Sequence, residues 1–300
     1  KPVTSRAADT TNHITWDEDA KVYRLFTRTD YPRPPDGLEV RGTRSMTNPD
    51  IKADPTDWKL VRDWKFDREG PQECRRRQIY GLSDWIYHGV HFAQMMVFEW
   101  PNDLSEGPVD HHKRHERDVL EYYIATSRDG DRWDLSWVYA GKKMITRGPA
   151  GSWDKDMVIP SSEIITHDDK HWLYYAGSNE RHGAPRPAQG IGVATLRLDG
   201  FVYLEAGSGM GSVTTKPFRL EGKRLQVNVA GEEFRVEVLD GKGKPLPGYC
   251  GPEAETFTNV DNLRFEPQWK GSLLSALKGR VVRLKFHLKK ARLYSFQVPR

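Results

Sequence analysis

The sequence predicts an all-β protein, with blades of a β-propeller over residues 1–207 and a β-sandwich over 208–300. Three observations carry this. Val119 to Gly141 reads as strand, tight turn, aromatic and strand. Four-strand units in the same order recur on either side of it, and near Gly207 the chain changes to short alternating strands at sandwich spacing.

In the first stretch, Val119, Glu121, Tyr123 and Ala125 alternate with Leu120, Tyr122, Ile124 and Thr126, the period of two that a strand imposes. Asp129-Gly130 supplies the turn, because glycine accepts positive φ without a Cβ clash. Across Ser127-Arg128-Asp129-Gly130-Asp131-Arg132-Trp133, polar side chains can cap the turn while Trp133 packs beneath it, much as in the Asp-box turns of sialidase-like propellers. A second strand is expected to follow to Gly141.

Gln78 to Trp100 adds two strands, so four lie between Gln78 and Gly141, enough for one blade. Upstream, Asn12 to Asp17, Lys21 to Arg28, Arg41 to Thr47 and Asp57 to Val61 repeat the order. Downstream, Ser162 to Thr166, a turn at His167-Asp168-Asp169, His171 to Ala176 and Gly190 to Gly207 make a third unit. A spacing of roughly 60 to 80 residues suits propellers better than solenoids, whose repeats are shorter. Tyr31 to Gly42, Pro101 to Arg117 and Arg181 to Gly190 read as long loops, which in propellers gather on a functional face.

Beyond Gly207 the strand candidates are GSVTTKPFRL, RLQVNVA, EFRVEVLD, VVRLKFHL and ARLYSFQV, with a turn at Gly241-Lys242-Gly243. Val281, Leu284, Phe286 and Leu288 are expected on an inner face, with Leu293, Tyr294 and Phe296. Gly271 to Lys278 is at most a short turn of helix.

With 300 residues, 37% of them hydrophobic, the chain can bury a sizeable core. Ten Trp and twelve Tyr allow both blade packing and stacking on sugar rings. A net charge of +4, with Lys and Arg interspersed among acids, does not indicate nucleic-acid binding. Arg75-Arg76-Arg77 fits an anionic substrate or a solvated loop. Two cysteines, Cys74 and Cys250, are too few for a disulfide framework and are expected to be free thiols. No apolar run approaches the roughly 18 residues of a membrane span, and no signal peptide is visible. The chain begins Lys1-Pro2-Val3, so an upstream segment is expected to have been removed or to lie elsewhere. The expected location is secreted or periplasmic.

Propellers place functional residues near the axis, at the openings of inner strands. Asp9, ahead of Asn12 to Asp17, holds such a place, as does Glu163 ahead of the third unit's first strand. Glycoside hydrolysis needs two carboxyls, one protonated as acid and one ionised as base or nucleophile, and Asp9 with Glu163 is the best pair. Asp9 also reads as a turn-capping residue. Arg77, Tyr80, His88, Glu121, Asp156 and His182 are the candidate substrate-binding residues. His111, His112 and His115 add to the loop histidines, but adjacent histidines rarely bind one metal together; no cofactor is expected, and a structural metal is the minority reading.

The segments ADTTNHITWDEDAKVYRLFTR, RQIYGLSDWIYHGVHFAQMMVF, LEYYIATSRDGDRW, GIGVATLRLDGFVYLEAG and VRLKFHLKKARLYSF together resemble the bacterial glycosyl-hydrolase-like proteins related to glycoside hydrolase families 32 and 43. The resemblance covers nearly the whole chain and is most specific at ARLYSF. It implies a five-bladed propeller followed by a sandwich, with two Asp and one Glu in an axial pocket. Asp9 and Glu163 match two of these acids, and no residue matches the third. About three blades are present, so the resemblance implies a companion polypeptide, an N-terminal fragment or a second chain, completing the ring. The expected function is glycoside hydrolysis of a poly- or oligosaccharide. A non-catalytic carbohydrate-binding propeller is the alternative, as is a polysaccharide lyase in which Tyr80 or His88 serves as base.

Overall fold

The computed structural model describes residues 3, 11–31, 39–70, 73–100, 117–184 and 189–299. The protein is all-β, and it divides into two compact units: residues 1–165 with 172–194, and 166–171 with 195–300.

The first unit opens with a four-stranded antiparallel meander, β1 (Asn12–Asp17), β2 (Val22–Tyr31), β3 (Val40–Asn48) and β4 (Lys59–Trp64), paired in that order. This is the four-strand unit the sequence outlines. Its first turn is closed by Asp17, whose Oδ1 accepts the N–H groups of Asp19 (3.1 Å) and Ala20 (2.9 Å).

A short helix, α1 (Glu73–Arg76), leads into β5 (Arg77–Tyr87), β6 (Val90–Glu99) and β7 (Val119–Ser127), a second antiparallel meander. After Ser127 the predicted turn forms. The Asp129 carboxylate accepts N–H groups from Asp131 (3.0 Å) and Arg132 (2.8 Å), Gly130 has φ +70°, and Trp133 packs edge-on to Phe26. These bonds, that from Arg132 foremost, hold the Asp129 carboxyl down to about 2.

The strand expected to run on to Gly141 is instead a second short helix, α2 (Ser136–Tyr139). Leu135, Val138 and Tyr139 fall at helical spacing, and all three pack on the core formed by Phe26, Ile79, Leu82, Met95, Val97 and Tyr123. The fourth place is taken by β8 (Met157–Pro160), which pairs in parallel with β7 through Leu120 and Met157. Then β9 (Ile165–His167), β10 (Lys170–Ser178) and β11 (Gln189–Arg197) follow. The sheet order is β11-β10-β8-β7-β6-β5, with β9 on β10, so the second and third expected blades share one sheet.

The second unit is one six-stranded sheet: β12 (Leu204–Ala206), β13 (Gly211–Thr214), β14 (Phe218–Arg219), β15 (Gln226–Asp240), β16 (Thr256–Phe265) and β17 (Val281–Gln297), in the order β12-β17-β15-β16 with β13 and β14 also on β17. The sequence splits each long strand in two, and the structure explains why. Core residues of β15 are Val227 and Val229, then Phe234, Val236 and Val238; those of β17 are Val282, Leu284, Phe286 and Leu288, then Ala291 and Leu293. The alternation changes phase mid-strand, where Gly231 has φ +152° and a Cβ would lie 2.2 Å from Ala291 Cα. Bends of this kind let both halves of a strand face one core, as at the corners of sandwiches. Val281, expected inside, is exposed because Val282 takes the inner position, and Phe296 is also exposed. Gly271 to Lys278 contains a 3-10 turn, Leu274–Leu277. Cys74 and Cys250 are free thiols, one in each unit.

Candidate functional site

The site is built on a bulge in β5. Ile79 pairs with Val97 and Gly81 with Met96, so Tyr80 is the extra residue. Ile79 and Leu82 both enter the core while Tyr80 turns to the opposite face, a re-aiming that bulges produce. There the Tyr80 ring packs on Phe98 of β6 (centroids 4.4 Å apart) and meets the edge of His182 (5.3 Å), which also contacts Phe98 (4.8 Å). Tyr80 Oη and His182 Nε2 are 3.2 Å apart, a hydrogen bond spanning 102 positions of sequence. Beside Tyr80, Gly81 has no room for a Cβ, which would lie 2.4 Å from Thr11 Oγ1.

Two arginines flank these rings. The Arg28 guanidinium lies 5.6 Å from the Tyr80 centroid, and that of Arg41 lies 5.9 Å from Tyr80 and 5.3 Å from Phe98, within cation–π range. Arg28 donates to Asp30 (3.0 Å), while Arg41 donates to Gln78 (3.1 Å) and pairs with Glu39. Tyr80 and His182 are half-buried, whereas Phe98 and Arg28 are buried. The result is a ring-lined, polar-rimmed surface.

Sequence reasoning missed Arg28, Arg41 and Phe98. Arg28 with Asp30 and Glu39 with Arg41 are i, i+2 pairs, which lie on one face of a strand, and that spacing was the available signal.

The other candidates are placed differently. Arg77 is buried, donates to Glu99 (2.5 Å) and lies over Phe66 and Tyr139. Tyr123 completes this knot by donating to Glu99 (2.8 Å); burial, then Glu99, push its phenol up. Glu121 is 1% exposed; its Oε1 accepts Lys143 (2.6 Å) and Arg147 (2.8 Å), and its Oε2 has no hydrogen-bond partner among the described residues. Asp156 is buried against Arg181 (3.0 Å) and Lys155. His88 is exposed in the β5–β6 turn at φ +48°. Glu163 is exposed beside Ser162, whose carbonyl accepts Gln94 Nε2 (3.0 Å). Gln94 is four residues from Phe98 along β6, so both share one face about 13 Å apart. Asp9, His111, His112 and His115 lie outside the described residues.

A second polar cluster was unforeseen. Arg24 donates to Asp17 (2.8 Å), Asp131 (2.6 Å) and the Asp129 carbonyl (2.7 Å). His91 Nδ1 lies 2.8 Å from Asp84 Oδ2, and its Nε2 lies 3.6 Å from Asp17 Oδ2. His13 Nε2 hydrogen-bonds the Asp84 carbonyl (2.9 Å). Arg24 and its Asp129 and Asp131 partners are over 100 positions apart, which leaves no local pattern to read.

Among the described residues, no group of three or more His, Cys, Asp or Glu is placed to hold a metal, and no helix is long and apolar enough to cross a membrane.

No family model matches the chain, nor does any curated protein. Among solved structures it is similar to a glycoside hydrolase at 16% identity and a TM-score of 0.42, over 65% of this chain and 50% of that one. It is similar to an N-acetylgalactosamine deacetylase from F. plautii in complex with blood group B trisaccharide, at 12% and 0.41, over 65% and 51%. A third is an exo-beta-1,3-galactanase from Phanerochaete chrysosporium with beta-1,3-galactotriose, at 9% and 0.21, over 95% and 80%. The chain thus spans about half the length of the first two. The likeness does not single out families 32 and 43, and none of these structures assigns a role to a residue of this chain. The companion polypeptide expected from the blade count finds no support in them.

Proposed function

We propose that the chain is a carbohydrate-active enzyme, a secreted or periplasmic glycoside hydrolase acting on a poly- or oligosaccharide at the Tyr80–His182 surface. The observation that carries the reading is the cluster of Tyr80, Phe98 and His182 between Arg28 and Arg41. Apolar rings suit the C–H faces of a pyranose, and the phenol, imidazole and guanidinium groups around them suit its hydroxyls. Glu163, which is exposed, would act with Asp9 as the carboxyl pair. Asp9→Asn and Glu163→Gln should each lower reducing-end release from polysaccharides by about 100-fold or more, with the melting temperature nearly unchanged. Turnover like that of the unaltered protein in both variants removes the pair from the mechanism.

One observation favours a second reading, a polysaccharide lyase. Tyr80 and His182 are hydrogen-bonded, and Arg28 lies 5.6 Å from the phenol ring centroid, an arrangement in which Tyr80, its own proton passed to His182, can take the C5 proton of a uronate while the C4–O bond breaks. The products decide. A lyase yields an unsaturated uronate absorbing in the ultraviolet, abolished by Tyr80→Phe, whereas a hydrolase yields saturated sugars only. Binding with neither product identifies a non-catalytic carbohydrate-binding propeller.

A further inference from the structure

On the other face of the same sheet lies a second pair of rings that nothing above uses. Met157 sits with Tyr80 and Phe98. In the β8–β10 ladder Met157 pairs with Ser178 and Val158 with Gly177, so Tyr175 and Gly177 lie on the face opposite Met157. There the Trp153 and Tyr175 rings lie nearly parallel, with centroids 5.6 Å apart at 24°.

The strands beneath them are stripped of side chains. A Cβ on Gly177 would lie 2.6 Å from the Trp153 ring, one on Gly190 would lie 3.1 Å from it, and one on Gly192 would lie 2.5 Å from Tyr175. Glycine weakens a strand and persists where something must approach the backbone closely. Here it lets two rings lie against β10 and β11. Trp153 nevertheless stays 41% exposed, so part of its ring is open to a ligand. Tyr175 is fixed by donating to Asp154 Oδ2 (3.1 Å), so a carboxylate sits at the edge of the rings.

We propose that Trp153 and Tyr175 form a sugar-stacking subsite, separate from the Tyr80 surface, that holds a pyranose of a polysaccharide chain. A part-exposed pair of near-parallel rings, fixed by the Tyr175–Asp154 hydrogen bond, matches the apolar C–H face of such a ring. The ligand class rests on the carbohydrate reading above, but the location does not.

Affinity electrophoresis of the full chain through gels carrying xylan, arabinan, galactan or polygalacturonan, one at a time, tests it. The unaltered protein should be retarded by at least one polymer. Trp153→Ala should bind that polymer about tenfold more weakly, a loss typical of one aromatic stack, and Trp153→Phe should recover part of it. Tyr80→Ala should keep the Trp153-dependent part. Equal retardation of Trp153→Ala and unaltered protein overturns the subsite, as does no retardation by any polymer. Product release from the same polymers is scored independently, so cleavage without Trp153-dependent retardation overturns the subsite and leaves the proposed function standing.

Discussion

Removing the imidazole of His91 should destabilise the first unit in a pH-dependent way. His91 is 4% exposed and Asp84 0%, and each His91 nitrogen faces a carboxylate, Asp84 at 2.8 Å and Asp17 at 3.6 Å. Burial pulls the imidazole pKa down, but the hydrogen bond and charge of Asp84, with the charge of Asp17, raise it overall despite nearby Arg24. Asp17 is pushed up by burial and more than offset by the Ala20 N–H and Arg24, so its pKa is lowered overall. His13 and the edge of Trp133 complete the surroundings.

A histidine pKa raised above its unfolded value of 6.5 gives stability fully present below 6.5 and lost as pH rises through the folded value. A depressed Asp17 gives stability present above 3.8 and lost as pH falls through its folded value. The tie is therefore complete between those limits and fades on the alkaline side. His91→Leu leaves neither oxygen of the Asp84 carboxylate with a hydrogen-bond partner among the described residues, since Oδ1 already has none. Breaking such a buried pair costs about 3–5 kcal/mol, or about 6–20 °C in melting temperature at about 2–4 °C per kcal/mol. His91→Gln keeps a donor and should cost about 1–2 kcal/mol. Calorimetry from pH 5 to 9 should show the first unit's transition falling with pH in the unaltered protein and flattened in His91→Leu. Equal alkaline slopes in the two would refute the reasoning.

Two further perturbations address the folds themselves. Asp129→Ala removes the acceptor for the Asp131 and Arg132 N–H groups and should cost about 1–2 kcal/mol in urea unfolding. Because the Asp129 carboxyl titrates at about 2 rather than 3.8, its support should persist in mild acid and disappear only as pH falls through about 2. A fragment of residues 195–300 should unfold cooperatively by circular dichroism. One starting at residue 208 should melt lower, since it lacks β12, which pairs with β17 through Leu204, Glu205 and Ala206. Equal melting of the two would mean β12 adds nothing.

How much was legible follows from the range of each interaction. Period-two alternation placed β1, β2, β5, β6, β7 and β10, and the Ser127 to Trp133 turn was readable because its hydrogen bonds join residues two or three apart. The residues after Trp133 alternate well enough for a strand, yet they form α2, because the core surface offered to Leu135, Val138 and Tyr139 suits helical spacing. Tyr80 and His182 could be suspected separately. Their meeting depended on a bulge that turns one residue out of register and on the folding of the 102-position separation between them. Arg77, Glu121 and Asp156, read as ligand contacts, became buried ion pairs because their cationic or acidic partners arrive from other segments of the chain. The sequence by itself determined many of the strands, the local turns and the all-β class, since backbone geometry and hydrogen bonds between near neighbours suffice for these. Tertiary structure alone decided which charges neutralise each other and which rings share a surface, because Coulombic pairing and ring packing act through space between residues that sequence leaves far apart.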